Sequence, residues 1–322
     1  MIIVTGGAGF IGSALVGHLN SKGITNILVV DNLGSTEKWQ NLVGKEIIDY
    51  VHKDVFIERI RNEDFNYKVS GVIHLGACSS TTERDADYMI SNNFHYSKDL
   101  ARWAIARNYR FIYASSAATY GDGSQGFSDD TDSLKDLRPL NVYGYSKQLF
   151  DLWAQDSRNF DKIVGLKFFN VYGPNEDHKG DMKSVVNKGF EQIRETGELT
   201  LFKSHREDYA DGEQKRDFIY VKDCVSLIAE LLKSKAIHGL FNLGTGDARS
   251  FKDLGLAIFE AMGLEPNIRY VDMPQHLQDK YQYYTEAKMD KLADISHKLH
   301  LTSLEEGVSD YVKNYLLTGD RL

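Results

Sequence analysis

The chain contains 322 residues, 42% of them hydrophobic and 26% charged, which is the balance of an ordinary globular protein. At roughly 150 residues per domain, this length predicts about two domains, or one large domain with an appended lobe. The net charge of -8 argues against a non-specific nucleic-acid binder, and the two cysteines are too few for a disulfide framework or a zinc site. Neither a secretory signal nor an apolar run of the ~20 residues that a membrane span needs is visible, so we expect a soluble cytoplasmic protein.

Short strand patterns alternate with amphipathic helical patterns through the first half of the chain. Strands are predicted at residues 2–5, 27–31, 47–51, 72–75, 111–114 and 163–168, and helices at 9–22, 88–107 and 143–160. Strands separated by helices imply parallel pairing, with helices on both faces of the sheet. The predicted fold is therefore α/β, with a doubly wound parallel sheet of the Rossmann type in residues 1–170.

The alternation loosens after Pro174, where shorter elements are expected. Helices are predicted at residues 184–195, 224–235, 250–262 and 303–317, and strands at 217–221, 240–243 and 268–271. Residues 204–216 are polar and lack apolar periodicity, which is typical of a surface loop. Residues 171–322 are therefore predicted to form mainly a smaller C-terminal α/β substrate lobe, from which late elements return to the sheet.

A glycine-rich turn joins the first predicted strand to the first helix. Gly6, Gly9 and Gly12 lie at GxxGxxG spacing within TGGAGFIG. Glycine lets the backbone turn sharply and approach a pyrophosphate, while the helix N-terminus offers free N–H groups to that anion. Between a strand and a helix, the pattern favours a dinucleotide cofactor over a tight turn without a ligand.

Asp31 ends the second predicted strand, about 20 residues later, where an acid commonly binds the adenosine ribose hydroxyls. Its charge favours NAD over NADP, because it would repel a 2′-phosphate. The nearby Asn32, Lys38 and Lys53 could neutralise that phosphate, or they are solvated surface residues. The residues alone leave both cofactors open.

A YxxxK pattern opens the helix predicted at residues 143–160. Tyr143 and Lys147 are four residues apart, so they share one helix face. A neighbouring ammonium favours the phenolate and is expected to lower the tyrosine pKa, as a general base for an alcohol requires. Ser116 follows the fifth predicted strand, at the sheet edge where open α/β sheets bind ligands. These three residues predict a site that removes a proton from an alcohol.

The chain resembles the extended short-chain dehydrogenase/reductase family, whose members act on nucleotide-activated sugars. TGGAGFIG, the Ser116–Tyr143–Lys147 set and FFNVYGP at residues 168–174 carry the resemblance, which covers nearly the whole chain. HLGACSSTTE (74–83), YASSAATYG (113–121), LNVYGYSK (140–147) and HKG (178–180) more closely resemble the branch that epimerises carbon 6 of an ADP-linked heptose for the lipopolysaccharide inner core. The resemblance implies an isomerase that acts through a transient ketone, with one tightly bound NADP per subunit of a homo-oligomer.

Two bases are implied by the resemblance, because the sugar has to present either face of carbon 6. Tyr143 is the first expected base, assisted by Ser116 and Lys147, and Lys179 is the second. From the residues alone, Lys179 looks like a solvated loop lysine, although a desolvated lysine with a lowered pKa can act as a base.

Ligand contacts are implied in the same way. The cofactor is expected to contact Gly6, Gly9, Phe10, Ile11, Gly12, Asp31, Asn32, Lys38, Lys53, Leu75, Gly76, Ala77, Cys78, Ser79, Asn92, Lys147, Val171 and Lys179. The substrate is expected to contact Asn170, Asp181, Lys188, Phe202, Lys203, Ser204, His205, Arg216 and Tyr281. The family's preference for NADP resolves the cofactor through Asn32, Lys38 and Lys53. Arg216 is suited to a bidentate grip on phosphate oxygens, or it forms a surface salt bridge.

The expected substrate contacts depart from the family pattern at three places. Asp181 stands where a serine is usual, Lys188 where a histidine is usual, and Lys203-Ser204-His205 where Glu-Gly-Ser is usual. The insertion before Arg216 also shifts its loop. These changes affect the details of ADP and heptose binding rather than the catalytic residues.

Two other functions compete with heptose epimerisation. A related 4,6-dehydratase would carry an Asp-Glu pair directly after the position of Ser116, where this chain has Ala117 and Ala118. A UDP-galactose 4-epimerase is therefore the alternative enzyme. A catalytically inactive dinucleotide-binding regulator should have lost Tyr143 or Lys147, and this chain keeps both.

Overall fold

The computed structural model describes residues 1–278, 281–295 and 301–322. The strands are β1 (Ile2–Thr5), β2 (Ile27–Asp31), β3 (Asp49–His52), β4 (Gly71–His74), β5 (Arg110–Ser116), β6 (Val164–Phe168), β7 (Asn170–Tyr172), β8 (Leu199–Phe202), β9 (Lys215–Tyr220), β10 (Gly239–Leu243), β11 (Ala248–Ser250) and β12 (Ile268–Val271). The α-helices are α1 (Phe10–Ser21), α2 (Lys53–Arg61), α3 (Ala86–Met89), α4 (Tyr96–Ala106), α5 (Val142–Asp156), α6 (Val185–Thr196), α7 (Val221–Lys233), α8 (Phe251–Met262), α9 (Gln275–Gln278), α10 (Asp290–Ile295) and α11 (Leu304–Tyr311). None of the helices in these ranges is both long and apolar enough to cross a bilayer.

Seven parallel strands form the main sheet, in the order β10-β6-β5-β4-β1-β2-β3. Successive residues of a strand point to opposite faces, so Ile2 and Val4 join one hydrophobic cluster while Ile3 joins the other. Helices cover both faces, which explains why β1, β2 and β4 are buried along their whole length. The predicted doubly wound parallel sheet is confirmed, and β10 is a late element that returns to it.

The C-terminal half contributes two smaller sheets. One has the order β11-β9-β7, and the other pairs β12 with β8 in parallel. Helices α6 and α8 pack together beside these strands, and Ser184 and Ser250 cap their N-termini. This arrangement fits the expected substrate lobe, although the boundary at residue 170 stays a prediction.

Some elements escaped the sequence analysis. Strands β7, β8 and β11, which have only three or four residues each, were not predicted. Helix α2 starts directly after β3, where the His52 side chain accepts a hydrogen bond from the Asp54 amide. The single helix predicted at 88–107 is instead α3 and α4 joined by a π-helical turn at Ile90–His95.

Candidate active site

The predicted cofactor and catalytic residues gather at the carboxyl edge of the main sheet. Because the strands are parallel, the glycine-rich turn after β1, Asp31 at the end of β2 and Ser116 at the end of β5 lie on the same side. A cavity of about 1200 Å³ lies at the opposite edge, near Ile2 and Arg110, and none of the predicted site residues lines it. The chemistry therefore belongs to the carboxyl edge.

The glycine-rich turn is built for close backbone approach. Gly6 has φ +67°, and a Cβ placed on it would lie 2.6 Å from the backbone nitrogen of Gly76. A Cβ on Gly12 would lie 2.0 Å from the Gly6 carbonyl oxygen. Helix α1 begins at Phe10, and its N-cap, Gly9, makes no side-chain cap. The backbone N–H groups at this end stay available for an anion, so the turn fits a dinucleotide pyrophosphate.

Asp31 is buried, and its carboxylate is already engaged. It accepts hydrogen bonds from the backbone amides of Ala8 at 2.8 Å and Asn32 at 2.7 Å. Lys38 Nζ donates to the same carboxylate at 2.8 Å. Asp31 therefore braces the glycine-rich turn, and Lys38 neutralises the charge that would repel a 2′-phosphate.

Beside Asp31 lies a cavity of about 150 Å³. The residues lining it that were predicted to contact the cofactor are Gly6, Asp31, Asn32, Lys38, Lys53, Gly76, Ala77, Cys78 and Asn92. Lys53 Nζ donates to Asp54 at 2.7 Å and lies 5.9 Å from the centre of the Tyr96 ring. The ammonium groups of Lys38 and Lys53 thus both face this cavity. Lys38 neutralises the Asp31 carboxylate, which also lines it.

The loop after β4 is fixed to the catalytic helix by Asn93, a buried residue that the sequence analysis missed. The Asn93 side chain accepts from the Cys78 amide and donates to the Cys78 carbonyl, both at 2.9 Å. It also donates to Ser146 Oγ at 3.0 Å. Asn93 thereby holds the expected cofactor loop 75–79 in register with helix α5.

Tyr143, Ser116 and Lys147 come together where helix α5 begins. The Asn141 side chain caps this helix by accepting from the Gly144 amide at 2.8 Å. The Ser116 side chain lies close enough to the Tyr143 hydroxyl to affect its pKa. Lys147 is 6% exposed, and its Nζ donates to the Ala114 carbonyl at 2.8 Å. The predicted catalytic set therefore occupies one compact region.

Burial dominates the electrostatics of this set. It lowers the pKa of Lys147 to about 8, and the Asp151 carboxylate works in the opposite direction. It also raises the pKa of Tyr143, and the neighbouring Ser116 side chain partly offsets that rise. The expectation that Lys147 lowers the Tyr143 pKa was wrong for this geometry, because desolvation outweighs the other contributions and the lowering partner is Ser116.

A buried polar cluster lies behind the catalytic set and was also missed. Asp151 accepts from the Tyr113 hydroxyl and from Ser115 Oγ, each at 2.7 Å. Lys167 forms a salt bridge with it at 3.0 Å, and both side chains are fully buried. Asp151 lies one helical turn after Lys147, so the cluster fixes helix α5 to the end of β5. The four-residue spacing from Lys147 was the one available signal in the sequence.

Lys179 lies in a short 3₁₀ segment, Asp177–Met182, and is only partly exposed. Its Nζ is 5.1 Å from the centre of the Phe10 ring, at the start of α1. Burial lowers its pKa, while the buried Glu176 carboxylate works against that change. Lys179 also lines a cavity of about 280 Å³ together with Asn170 and Val171. This environment differs from that of a solvated loop lysine.

Arg216, on β9, is buried between two aromatic rings. Its guanidinium lies 5.6 Å from the centre of Phe251 and 5.3 Å from that of Tyr281. It donates to the Lys215 carbonyl at 2.8 Å, and the groups of the described residues that act on its charge are Tyr281 and Tyr209, neither of them a carboxylate. The surface salt bridge considered for Arg216 is therefore not formed with any of the residues that the structure describes, and a buried cation of this kind suits an anionic ligand.

The other expected substrate residues are more dispersed. Asp181, Lys188, Lys203 and His205 are exposed, and Lys203 pairs with Asp272 at 3.0 Å. The Tyr283 hydroxyl binds the His205 backbone amide at 2.9 Å and the His205 ring at 2.8 Å. The structure thus brings Arg216 and Tyr281 into contact, but it does not gather the whole predicted substrate set.

The sequence profile of the NAD dependent epimerase/dehydratase family matches residues 2–244. The chain belongs to this family. Its glycine-rich turn and its Ser116–Tyr143–Lys147 set lie within the matched residues. A nicotinamide dinucleotide is therefore its cofactor, in agreement with the fit of the glycine-rich turn.

Members of the family that are similar to this chain include several bacterial epimerases. An ADP-L-glycero-D-manno-heptose-6-epimerase of Nitratidesulfovibrio vulgaris strain DP4 is 56% identical, over 99% of each chain. The enzyme of the same name from Fusobacterium nucleatum is 49% identical, again over 99% of each. The crystal structure of the Helicobacter pylori enzyme of that name superposes with a TM-score of 0.82, at 27% identity, over 97% of this chain and 95% of that one. These relatives confirm the predicted family and the predicted fold class.

Proposed function

We propose that this protein converts ADP-D-glycero-D-manno-heptose to ADP-L-glycero-D-manno-heptose by inverting carbon 6. Relatives that are 49–56% identical over nearly their full length carry the name of that enzyme. The predictions of an isomerase and of heptose epimerisation are confirmed at this level of similarity. The observation that carries the proposal is the placement of Lys179 against Phe10, which puts a second partly buried base beside the glycine-rich turn.

Tyr143 handles the proton in one orientation of the sugar. In its phenolate form, the Tyr143 oxygen accepts the proton of the carbon 6 alcohol and later returns it, and the neighbouring Ser116 hydroxyl stabilises that phenolate by donating a hydrogen bond. Lys147, held by the Ala114 carbonyl, adds a positive charge close to this site when it is protonated. When bound, the nicotinamide dinucleotide supplies the reversible oxidation of carbon 6 to a ketone.

Lys179 handles the proton in the other orientation. Inversion requires that the second face of carbon 6 be presented, which moves the hydroxyl away from Tyr143. Lys179 can accept a proton only in its neutral form, and its burial favours that form. Its contact with Phe10 keeps Nζ at the end of the glycine-rich turn.

The proposed cofactor is NADP rather than NAD. Lys38 cancels the charge of Asp31, and Lys53 and Asn32 line the same cavity. A 2′-phosphate would meet two ammonium groups there, and charge-assisted hydrogen bonds of this kind are among the stronger ones in proteins. Lys38 and Lys53 are thus proposed as the residues that recognise the phosphate.

The proposed site for the ADP pyrophosphate is Arg216, whose buried guanidinium is held by Phe251 and Tyr281. The heptose is placed beside Asn170 and Lys179, which share one cavity. The exposed Asp181, Lys188, Lys203 and His205 remain proposed substrate contacts on the basis of the family resemblance. A cytoplasmic homo-oligomer that serves lipopolysaccharide synthesis completes the proposal and rests on the family resemblance.

The test is direct. The purified protein is incubated with ADP-D-glycero-D-manno-heptose without added cofactor, and formation of the L-glycero isomer is followed by NMR. UDP-galactose, the substrate of the alternative 4-epimerase, is supplied in a parallel reaction. Conversion of the heptose alone supports the proposal, whereas conversion of UDP-galactose alone would replace it with the alternative.

A further inference from the structure

Asn41 links the glycine-rich turn to the segment before Lys179. It is fully buried in a 3₁₀ segment, Glu37–Leu42. Its Nδ2 donates to the Ala8 carbonyl at 3.1 Å and to the Asn175 carbonyl at 3.0 Å. Its Oδ1 accepts from Arg321 at 2.6 Å. These partners fix the orientation of the amide, since its nitrogen faces acceptors and its oxygen faces a donor.

His178 is the next partner of the same amide. Asn41 Nδ2 lies 3.2 Å from His178 Nδ1. Because an amide nitrogen only donates, the ring nitrogen accepts in this contact; since the two amide protons also serve the Ala8 and Asn175 carbonyls, the hydrogen bond to His178 is a shared one. Burial, with the charges of Lys38 and Lys179, lowers the His178 pKa to about 4, so the ring is neutral at physiological pH.

The segment that carries Lys179 depends on such outside contacts. The Asp177–Met182 segment has no side-chain cap at its N-terminus, and Gly180 within it has φ +53°. Asn175, just before it, is buried with φ +78°, a conformation that costs free energy outside glycine. Irregular backbone of this kind persists only where its surroundings hold it in place.

We propose that Asn41 and His178 are positioning residues that hold Lys179 against the glycine-rich turn and couple its placement to cofactor binding. Asn41 and Lys38 share the segment Glu37–Leu42, so a cofactor phosphate bound at Lys38 restrains the segment that carries Asn41, the residue in contact with His178. Lys179 directly follows His178, and its Nζ packs on Phe10. The inference rests on the proposed function for its catalytic consequence, but the coupling itself can be observed without any sugar.

Two variants of His178 separate this role from simple packing. Asparagine and leucine have nearly the same shape, and only asparagine places an oxygen acceptor where His178 Nδ1 lies. His178→Asn should therefore keep the hydrogen bond from Asn41, and His178→Leu should lose it. Both variants remove the same part of the ring, so a packing defect would affect them equally.

The first measurement is hydrogen exchange of residues 177–182, with and without saturating NADP. We expect NADP to slow exchange there in the wild type and in His178→Asn, and to slow it at least threefold less in His178→Leu. The second measurement compares epimerisation with dismutation of a sugar that carries an aldehyde at carbon 6, which needs one base only. One hydrogen bond has a net worth of about 0.5–1.5 kcal/mol, so His178→Leu should lose roughly 2- to 13-fold in epimerisation and keep its dismutation rate.

Equal exchange protection in the two variants would overturn the coupling. Equal losses of epimerisation in both, or parallel losses of dismutation, would overturn the positioning role. Failure of the wild type to turn over the heptose would instead count against the proposed function, and the exchange experiment would still decide the coupling.

Discussion

The two expected bases, Tyr143 and Lys179, lie in structural elements of different kinds. Tyr143 lies in the first turn of α5, a regular helix of 15 residues that Asn141 caps and Asp151 fixes to the sheet. Lys179 lies in a six-residue 3₁₀ segment with a left-handed glycine, Gly180. The first base is placed by a regular element, and the second by side chains that reach it from elsewhere.

This difference explains why one base stands out from the residues and the other does not. In a regular helix, residues four apart lie on the same face, so the spacing of Tyr143 and Lys147 predicts that their side chains are neighbours. The position of Lys179 depends on Asn41, which is 137 residues away from His178 in the chain. Local sequence contains no pattern for such a contact, and only the family resemblance indicated Lys179.

Removal of the Tyr143 hydroxyl, the base on the regular helix, should cause the largest loss of epimerisation. Tyr143→Phe keeps the ring and removes the group that accepts the proton, so epimerisation should fall about 10²–10⁴-fold. The cofactor should stay bound, because its proposed contacts lie mainly on other elements. Product is measured by NMR, and bound cofactor by mass after extraction.

Tyr145→Phe is the matched control, since Tyr145 is 49% exposed on the same helical turn. It should keep wild-type activity. Near-normal turnover by Tyr143→Phe would remove Tyr143 from the mechanism.

Loss of Lys179, the base on the irregular 3₁₀ segment, should reduce epimerisation and leave the chemistry at Tyr143 intact. Lys179→Met keeps the chain length and removes the amine, so epimerisation should fall about 100-fold, the lower range for loss of a positioned base. Dismutation of the 6-aldehyde should continue, because oxidation and reduction can both take place at the Tyr143 side. The two reactions are measured side by side, with NADP content checked in parallel.

Lys135→Met provides the control, because Lys135 is an exposed lysine that also lies in a 3₁₀ segment. It should change neither reaction. A wild-type rate of heptose epimerisation in Lys179→Met would make Lys179 a spectator, and a mechanism with Tyr143 alone would have to replace this one.

Much of the cofactor edge could be predicted from sequence. The bounds of β1 and β2 were predicted correctly, and the parallel sheet then brings the glycine-rich turn, Asp31 and Ser116 to one edge. The buried polar partners were not predicted, because Asn93 looks like an ordinary polar residue of a helix until its burial is known, and the spacing of Asp151 from Lys147 does not by itself indicate burial. Burial also decides the pKa of Tyr143, which spacing alone led us to place too low.

A smaller effect is expected on cofactor affinity, through Lys38 in the 3₁₀ segment Glu37–Leu42. Lys38→Met removes one ammonium and leaves Asp31 without its salt bridge, so a 2′-phosphate would meet an unbalanced charge. A hydrogen bond to a charged group has a net worth of about 1.5–3 kcal/mol, so NADP affinity should fall at least roughly tenfold. NAD affinity should change much less. Binding of both cofactors is measured by fluorescence titration, and an equal loss for the two would show that Lys38 does not recognise the phosphate.

The pH dependence of epimerisation and dismutation should distinguish the roles of Tyr143 and Lys179 without any mutation. Lys179 accepts a proton only when neutral, and burial lowers its pKa below the ordinary value, so its neutral fraction grows as pH rises towards that pKa. Below it, the fraction changes by up to about tenfold per pH unit. Lys147, with a pKa of about 8, acts beside Tyr143 and therefore affects epimerisation and dismutation alike. For the heptose isomer from which Lys179 accepts the proton, the ratio of epimerisation to dismutation should consequently rise with pH between 6 and 8, because the effect of Lys147 cancels and that of Lys179 does not. A ratio that stays flat over this range would mean that proton transfer by Lys179 does not limit inversion.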